Sequence, residues 1–273
     1  MTLHTITIIG AGTMGGGIAA VCLQSGFAVA LYDPDPGALE RARARIAKRN
    51  DQEALKRLKL SNDLASTVAG ADYVIEAAPE RLELKRSLFK QLDALAPAPA
   101  VLASNTSQHS VTALAAETKR PEKVIGMHWF NPPEKMALIE IVLAVQTSEG
   151  TLALTEQLAS SCGKTSVVVK DRQGFVTTRA LAALLSEAMR MLEEGVASAN
   201  DIDTAVKLGL NHPMGPLELA DYVGLDTMLL ISESLTEALG ERFRPAQTLR
   251  KLVEAGKLGR KSGEGFYRYD APR

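Results

Sequence analysis

The chain has 273 residues, with 31 Lys+Arg against 32 Asp+Glu and a formal charge of −1. Hydrophobic residues at 46% and charged residues at 23% describe a folded globular chain and exclude a disordered one. The balanced charge excludes a globally basic nucleic-acid binder, and 4% aromatics excludes a base-stacking platform.

The length exceeds the ~100–150 residues usual for one domain, so one large or two moderate domains are expected. Thr5–Ile9 (TITII) reads as a buried strand, Thr13–Ser25 as a helix closed by Gly26, and Ala28–Asp33 as a second strand. Gly37–Arg49 is an Ala/Arg-rich helix that continues after a break to Lys59. Ala71–Ala77 reads as a strand, Leu82–Leu95 as a helix, and Val101–Ser104 and Val124–Trp129 as strands. Leu138–Val145 and Thr165–Lys170 are strands flanking a helix over Gly150–Ser161. This alternation predicts a mostly parallel sheet covered on both faces. After Gly174 only helices are expected: Phe175–Gly195, Ala199–Leu208, Pro216–Gly240 and Ala246–Gly256. The expected organisation is an α/β domain over 1–182 followed by a smaller all-α domain over 183–273.

No segment reads as a targeting or membrane element. Ile6–Leu23 is apolar but glycine-rich, and no basic segment precedes it. Cys22 and Cys162 lie far apart and suggest no disulfide framework, so a reduced, cytoplasmic setting is expected. No metal site is expected.

Strand Thr5–Ile9 runs directly into Gly10-Ala11-Gly12-Thr13-Met14-Gly15, a GxGxxG match. Such a loop needs glycine for a tight turn, for approach of a pyrophosphate to the backbone, and for close helix–strand packing. The following helix N-terminus offers free N–H groups to phosphates. Asp33 ends the next strand 23 residues beyond Gly10, close to the spacing of about 20 for a ribose hydroxyl ligand. Strand, glycine loop, helix and acid together point to a Rossmann-type dinucleotide site, with NAD favoured because the carboxylate would repel a 2′-phosphate.

Hydride transfer from an alcohol needs a base, and neutral histidine held by a carboxylate suits that task near neutral pH. Of His4, His109, His128 and His212, only His128 ends a strand of the parallel sheet, where ligands bind. Glu140 lies twelve residues later inside an apolar run, where an unpaired charge is costly. If the chain doubles back at Asn131–Glu134, the two residues are nearly equidistant from the turn. By spacing alone, a structural histidine and an edge-strand glutamate fit equally well.

At this point the chain resembles the L-3-hydroxyacyl-CoA dehydrogenase family, particularly its short bacterial 3-hydroxybutyryl-CoA members. The markers run in order along nearly the whole chain: IIGAGTMGGGIA at Ile8–Ala19, IEAAPE at Ile75–Glu80, SNTS at Ser104–Ser107 and GMHWFNPP at Gly126–Pro133. They continue with GFVTTR at Gly174–Arg179, PMGPLEL at Pro213–Leu219, DYVGLD at Asp221–Asp226 and GRKSGEGFY at Gly259–Tyr267. The resemblance implies His128 as catalytic base, Glu140 as its orienting carboxylate, and Ser107 as a substrate contact close to the nicotinamide. It implies cofactor contacts by the Gly10–Gly15 loop, Asp33, Glu80, Lys85, Asn131 and Lys261. For Glu80 and Lys85, the residues alone favour an exposed helix-start charge pair. Thr178 stands where many members carry asparagine, so altered substrate positioning is expected. Arg41–Lys59 carries eight basic and two acidic residues, a local +6, and the resemblance places CoA contacts there, with Lys56 the best candidate by spacing and Arg49 a second. A solvated basic helix is the competing reading. A homodimer through the helical domain is implied by the resemblance as well. The alternatives are an NAD-dependent dehydrogenase of a free 3-hydroxy acid (L-gulonate or carnitine type) and a non-catalytic NAD-binding protein.

Overall fold

The computed structural model describes residues 2–269. The described residues divide into two compact units, 2–175 and 176–269. The ends of the expected domains, Met1 and residues 270–273, lie outside the described residues.

The first unit carries eight strands: β1 (Thr5–Ile9), β2 (Ala28–Tyr32), β3 (Leu58–Ser61), β4 (Tyr73–Glu76), β5 (Val101–Ser104), β6 (Val124–Trp129), β7 (Leu138–Leu143) and β8 (Thr165–Lys170). They form one sheet in the order β3-β2-β1-β4-β5-β6-β7-β8. Every adjacent pair is parallel except β6–β7, the one antiparallel pair. The order reverses between β1 and β4, which opens a crevice at the carboxyl ends of the strands.

Strand side chains alternate between two cores. Ile6, Ile8, Tyr73, Ile75, Ile125, Met127, Ile139 and Ile141 face one, with helices α1 (Thr13–Gln24), α2 (Pro36–Ala47) and, after β7, Glu149–Ser161. Ile9, Val74, Leu102, Val124 and Val142 face the other, with Val68, Phe89 and Leu114 from helices Leu64–Val68, Leu82–Leu95 and Val111–Ala115.

Short elements depart from the sequence expectation at several places. The helix expected to continue to Lys59 instead breaks into Gln52–Leu55 and the edge strand β3, and Leu64–Val68 and Val111–Ala115 are one-turn helices. Each is too short for periodicity to register. Helix starts follow local chemistry: Asp35, Asp51, Asp63, Ser110 and Ser148 each cap a helix N-terminus with a side-chain oxygen.

Cys22 and Cys162, 140 residues apart in sequence, share the first core, and both thiols stay free. The Cys162 thiol and burial push the Cys22 thiol well above its ordinary range.

The second unit is helical: Thr177–Glu193, Ala199–Gly209, Pro216–Val223, Leu225–Leu239 and Gln247–Glu254. Its boundary with the first precedes Thr177, so the expected division at 182/183 would have cut a continuous helix. The single helix expected over Pro216–Gly240 is two, because Gly224 adopts φ 101° and ends the first. Leu185, Met189, Ile202, Leu217, Leu225 and Met228 form its core. Buried Asp221 pins the following tail by accepting from the Phe266 and Tyr267 N–H groups at 3.0 and 2.9 Å and from the Tyr269 hydroxyl at 3.0 Å.

That clamp leaves no space at Gly265, where a Cβ would lie 2.0 Å from Asp221 Oδ1. Gly265→Ala is expected to destabilise the second unit by roughly 1–3 kcal/mol, the usual cost of overpacking. Gly70→Ala, with nothing within 4 Å of its Cβ, is the near-neutral control. Thermal unfolding followed by circular dichroism separates the two.

Candidate active site

The glycine loop between β1 and α1 is built as its sequence requires. Gly10 has φ 106°, and a Cβ there would meet Ala77 O at 2.7 Å. A Cβ on Gly15 would meet Gly10 O at 1.8 Å. Gly12 is different: nothing lies within 4 Å of its Cβ position, so open space adjoins the backbone there. Gly12 is also the N-cap of α1 and supplies no side-chain cap, which leaves first-turn N–H groups for an outside acceptor. A phosphate group fits this cradle. Thr13 and Met14 form the first turn of α1 above it.

Asp33, just past β2, accepts from the Ala11 N–H at 2.8 Å and from the Asp35 N–H at 2.9 Å. It therefore stands beside the loop it was expected to serve. Arg45 Nη2 donates to Ala11 O at 3.0 Å and Gly12 O at 3.1 Å, bracing the loop from α2. Sequence reasoning did not single out Arg45, which was one basic residue among eight.

At the far side of the crevice, β6 and β7 place His128 directly opposite Glu140. His128 Nδ1 and Glu140 Oε2 are 2.8 Å apart, with the carboxylate fully buried. An Nδ1–H donating to that carboxylate leaves Nε2 as the proton acceptor. The imidazole lies between the Phe130 and Phe175 rings, at centroid distances of 4.6 and 5.7 Å. Gly126, on the same face, makes room: a Cβ there would come within 2.7 Å of Val142 Cβ.

Between these two groups lies a buried ionic cluster at the ends of β4 and β5. Glu76 accepts from Lys85 Nζ at 2.7 Å, from the Ala78 N–H at 2.7 Å and from Ser104 Oγ at 2.6 Å. Lys85, only 1% exposed, also pairs with Glu80 at 3.1 Å. That burial removes the exposed-pair reading of Glu80 and Lys85. Glu80 in turn accepts from the Thr106 hydroxyl and from the Ser107 N–H, the latter at 3.0 Å. Burial opposes its charge, but the Lys85 ammonium and the Thr106 hydroxyl outweigh that and hold its carboxyl below the usual range. Asn105 Oδ1 accepts from the Trp129 N–H at 2.9 Å, tying this loop to the residue after His128. Glu76, Ser104 and Thr106 were not among the expected site residues.

Asn131 lines a cavity of about 290 Å³ with Thr13, Gly16, Arg45, Arg49 and Glu134. Arg49 pairs there with Glu134 at 3.0 Å. Lys56 is not brought to this cavity; it lies exposed on the outer surface, paired with Glu53 at 2.6 Å. In the second unit, Thr178 sits in the first turn of helix Thr177–Glu193, and Lys261 pairs with Asp226.

Residues 5–172 match the family profile described as 3-hydroxyacyl-CoA dehydrogenase, NAD binding domain, and residues 174–269 match the C-terminal domain of the same family. A probable 3-hydroxybutyryl-CoA dehydrogenase of Bacillus subtilis is 44% identical over 99% of both chains. One from Deinococcus radiodurans is 45% identical over 96% of this chain and 99% of its own. The crystal structure of (S)-3-hydroxybutyryl-CoA dehydrogenase from Ralstonia eutropha superposes with a TM-score of 0.95 at 42% identity, covering 99% of this chain and 100% of that one. With both of its units matched in order, the chain belongs to the 3-hydroxyacyl-CoA dehydrogenase family of NAD-dependent oxidoreductases.

Proposed function

We propose that this chain oxidises the hydroxyl of a short L-3-hydroxyacyl-CoA, such as 3-hydroxybutyryl-CoA, to the 3-ketoacyl-CoA with NAD, and runs the reverse reaction. The observation that carries the reading is the His128–Glu140 hydrogen bond at the carboxyl end of β6, in the same sheet as an open glycine cradle. The names of the full-length relatives support the substrate class.

The Gly10–Gly15 loop and Asp33 hold the dinucleotide phosphates and adenosine ribose. Glu80 and Asn131 stand toward its nicotinamide half, and Lys85 acts there through Glu80. Lys261 of the second unit is a further cofactor contact in this reading. Bound NAD⁺ supplies the hydride acceptor. His128 Nε2 takes the proton of the substrate hydroxyl, and Glu140 stabilises the imidazolium that results. Ser107 aligns the reacting oxygen, and its own backbone is held by Glu80. Arg49, at the cavity beside the glycine loop, is the preferred phosphate contact for CoA, and Lys56 a peripheral one.

A homodimer through the helical unit belongs to the same reading, supported by exposed Val196, Leu208, Leu210 and Leu230. Among the described residues no helix is long and apolar enough to cross a membrane. The free thiols of Cys22 and Cys162 support a cytoplasmic setting.

NADH oxidation with acetoacetyl-CoA, set against free acetoacetate, is the direct test: turnover of the thioester alone is expected. Activity on the free acid alone would select the free-acid alternative, and activity on neither would select a binding protein. His128→Gln is expected to lower kcat about 10²–10⁴-fold, with NADH affinity little changed. Glu140→Gln should fall in the same range by disturbing the tautomer. Thr178→Asn is expected to alter KM or acyl preference more than kcat. Charge reversal at Arg49 should raise KM for the thioester more than reversal at Lys56, read by steady-state kinetics.

A further inference from the structure

Glu76 is not among the residues of the cradle and does not pair with His128, yet three donors hold its carboxylate beside the crevice. It is fully buried, and one of its oxygens is shared by Lys85 Nζ and the Ala78 N–H. The other takes the Ser104 hydroxyl, whose oxygen in turn accepts from the Thr106 N–H at 3.2 Å. Its backbone carbonyl accepts from the Asn105 N–H at 2.7 Å. Three donors converge on the carboxylate, the pattern that satisfies an ionised group out of water. Lys85 is thereby suspended between two carboxylates, Glu76 and Glu80, with Ala78 O as a third acceptor at 3.3 Å. Two carboxylates against one ammonium leave the cluster one negative charge in excess.

That excess has a defined place. In a doubly wound sheet the dinucleotide crosses the carboxyl ends of the strands at the switch point. Its phosphates lie at the helix N-terminus, and one nucleoside lies over each half of the sheet. Here Asp33 marks the β1–β2–β3 half, so the nicotinamide half falls over β4, β5 and β6. Glu80 follows β4, Ser107 follows β5 and His128 ends β6, and the Glu76–Lys85–Glu80 cluster sits at the base of that half.

We propose that Glu76 is a positioning residue for the nicotinamide: through Lys85 it aims Glu80 at the Ser107 loop, and its buried charge makes the cluster net negative, biasing the site toward cationic NAD⁺ over neutral NADH. The inference rests on the NAD-dependent reading above. Nicotinamide loses its positive charge on reduction, so a fixed negative charge nearby weakens NADH relative to NAD⁺. A cluster neutralised at Glu76 loses that preference, whereas a purely structural defect weakens both forms alike.

The test is the ratio of dissociation constants for NAD⁺ and NADH, measured by calorimetry or fluorescence on the whole chain without substrate. Glu76→Gln, which keeps the shape and removes the charge, is expected to shift the ratio toward NADH on the order of tenfold. Removing one unit charge from a partly screened site changes such a preference by roughly this factor. The charge-balanced double variant Glu76→Gln/Lys85→Met, which again leaves one negative charge, is expected to return the ratio to the parent value even if both affinities fall. Lys85→Met alone moves the ratio the other way, and supplies the same test if Glu76→Gln does not fold. An unchanged ratio in Glu76→Gln, or equal weakening of both forms in every variant, overturns the proposal while leaving NAD dependence intact. Failure of the parent chain to bind either nucleotide overturns both.

Discussion

Glu76, at the carboxyl end of β4, and Glu140, near the start of antiparallel β7, are both fully buried, and an unpaired carboxylate there would cost several kcal/mol, so each dictates what surrounds it. Glu140 requires a donor on the adjacent strand, and the β6–β7 register supplies the imidazole of His128. Glu76 requires three donors, and the chain brings Lys85 from the next helix, Ser104 from the next strand and the Ala78 N–H from the next loop. The polar residues that face the crevice are thus held by a requirement of desolvation. The chemistry of the site follows from how those charges are satisfied.

The same rule sets the limits of what sequence can reveal. Glu140 stood out because a charge interrupted an apolar run, and the structure finds it paired with the histidine the argument had reached. Glu76 carries the same signal inside YVIEAA, with Lys85 nine residues on, but the resemblance drew notice to the later Glu80. Arg45 was hidden for another reason. In a helix with a basic residue every few positions, composition does not tell which one turns inward, and only tertiary packing shows that Arg45 grips the glycine loop. The sheet was legible where strands were rich in β-branched residues, as in buried β1 and β6 and in the exposed edge strand β8. It was illegible at β3, whose four residues, LKLS, are half-exposed and sit at an edge. Gly224 is a third case: a lone glycine in an apolar helical pattern is tolerated as often as it breaks, and its positive φ became visible only in the fold.

The first unit assigns its glycines opposite tasks. Gly10 and Gly15 are needed because other backbone occupies the space a side chain would take, while Gly12 faces open space at the N-terminus of α1. In the proposed reading that opening is where the dinucleotide phosphates approach the backbone. Arg45 and Asp33 then fix the loop from outside through its carbonyl and amide groups respectively. The cradle therefore has its shape set before anything enters it, which limits the ordering cost of binding.

Gly17 adds a constraint of a different kind. A Cβ on this residue of α1 would lie 2.9 Å from the ring of Pro133, in the turn that joins the two strands bearing His128 and Glu140. Helix α1 and the turn between β6 and β7 touch without clearance. In evolutionary terms the two positions are yoked: a side chain can appear at 17 only in a lineage where 133 has already become smaller or the turn has been rebuilt. The paths by which this half of the protein can drift are correspondingly few and ordered.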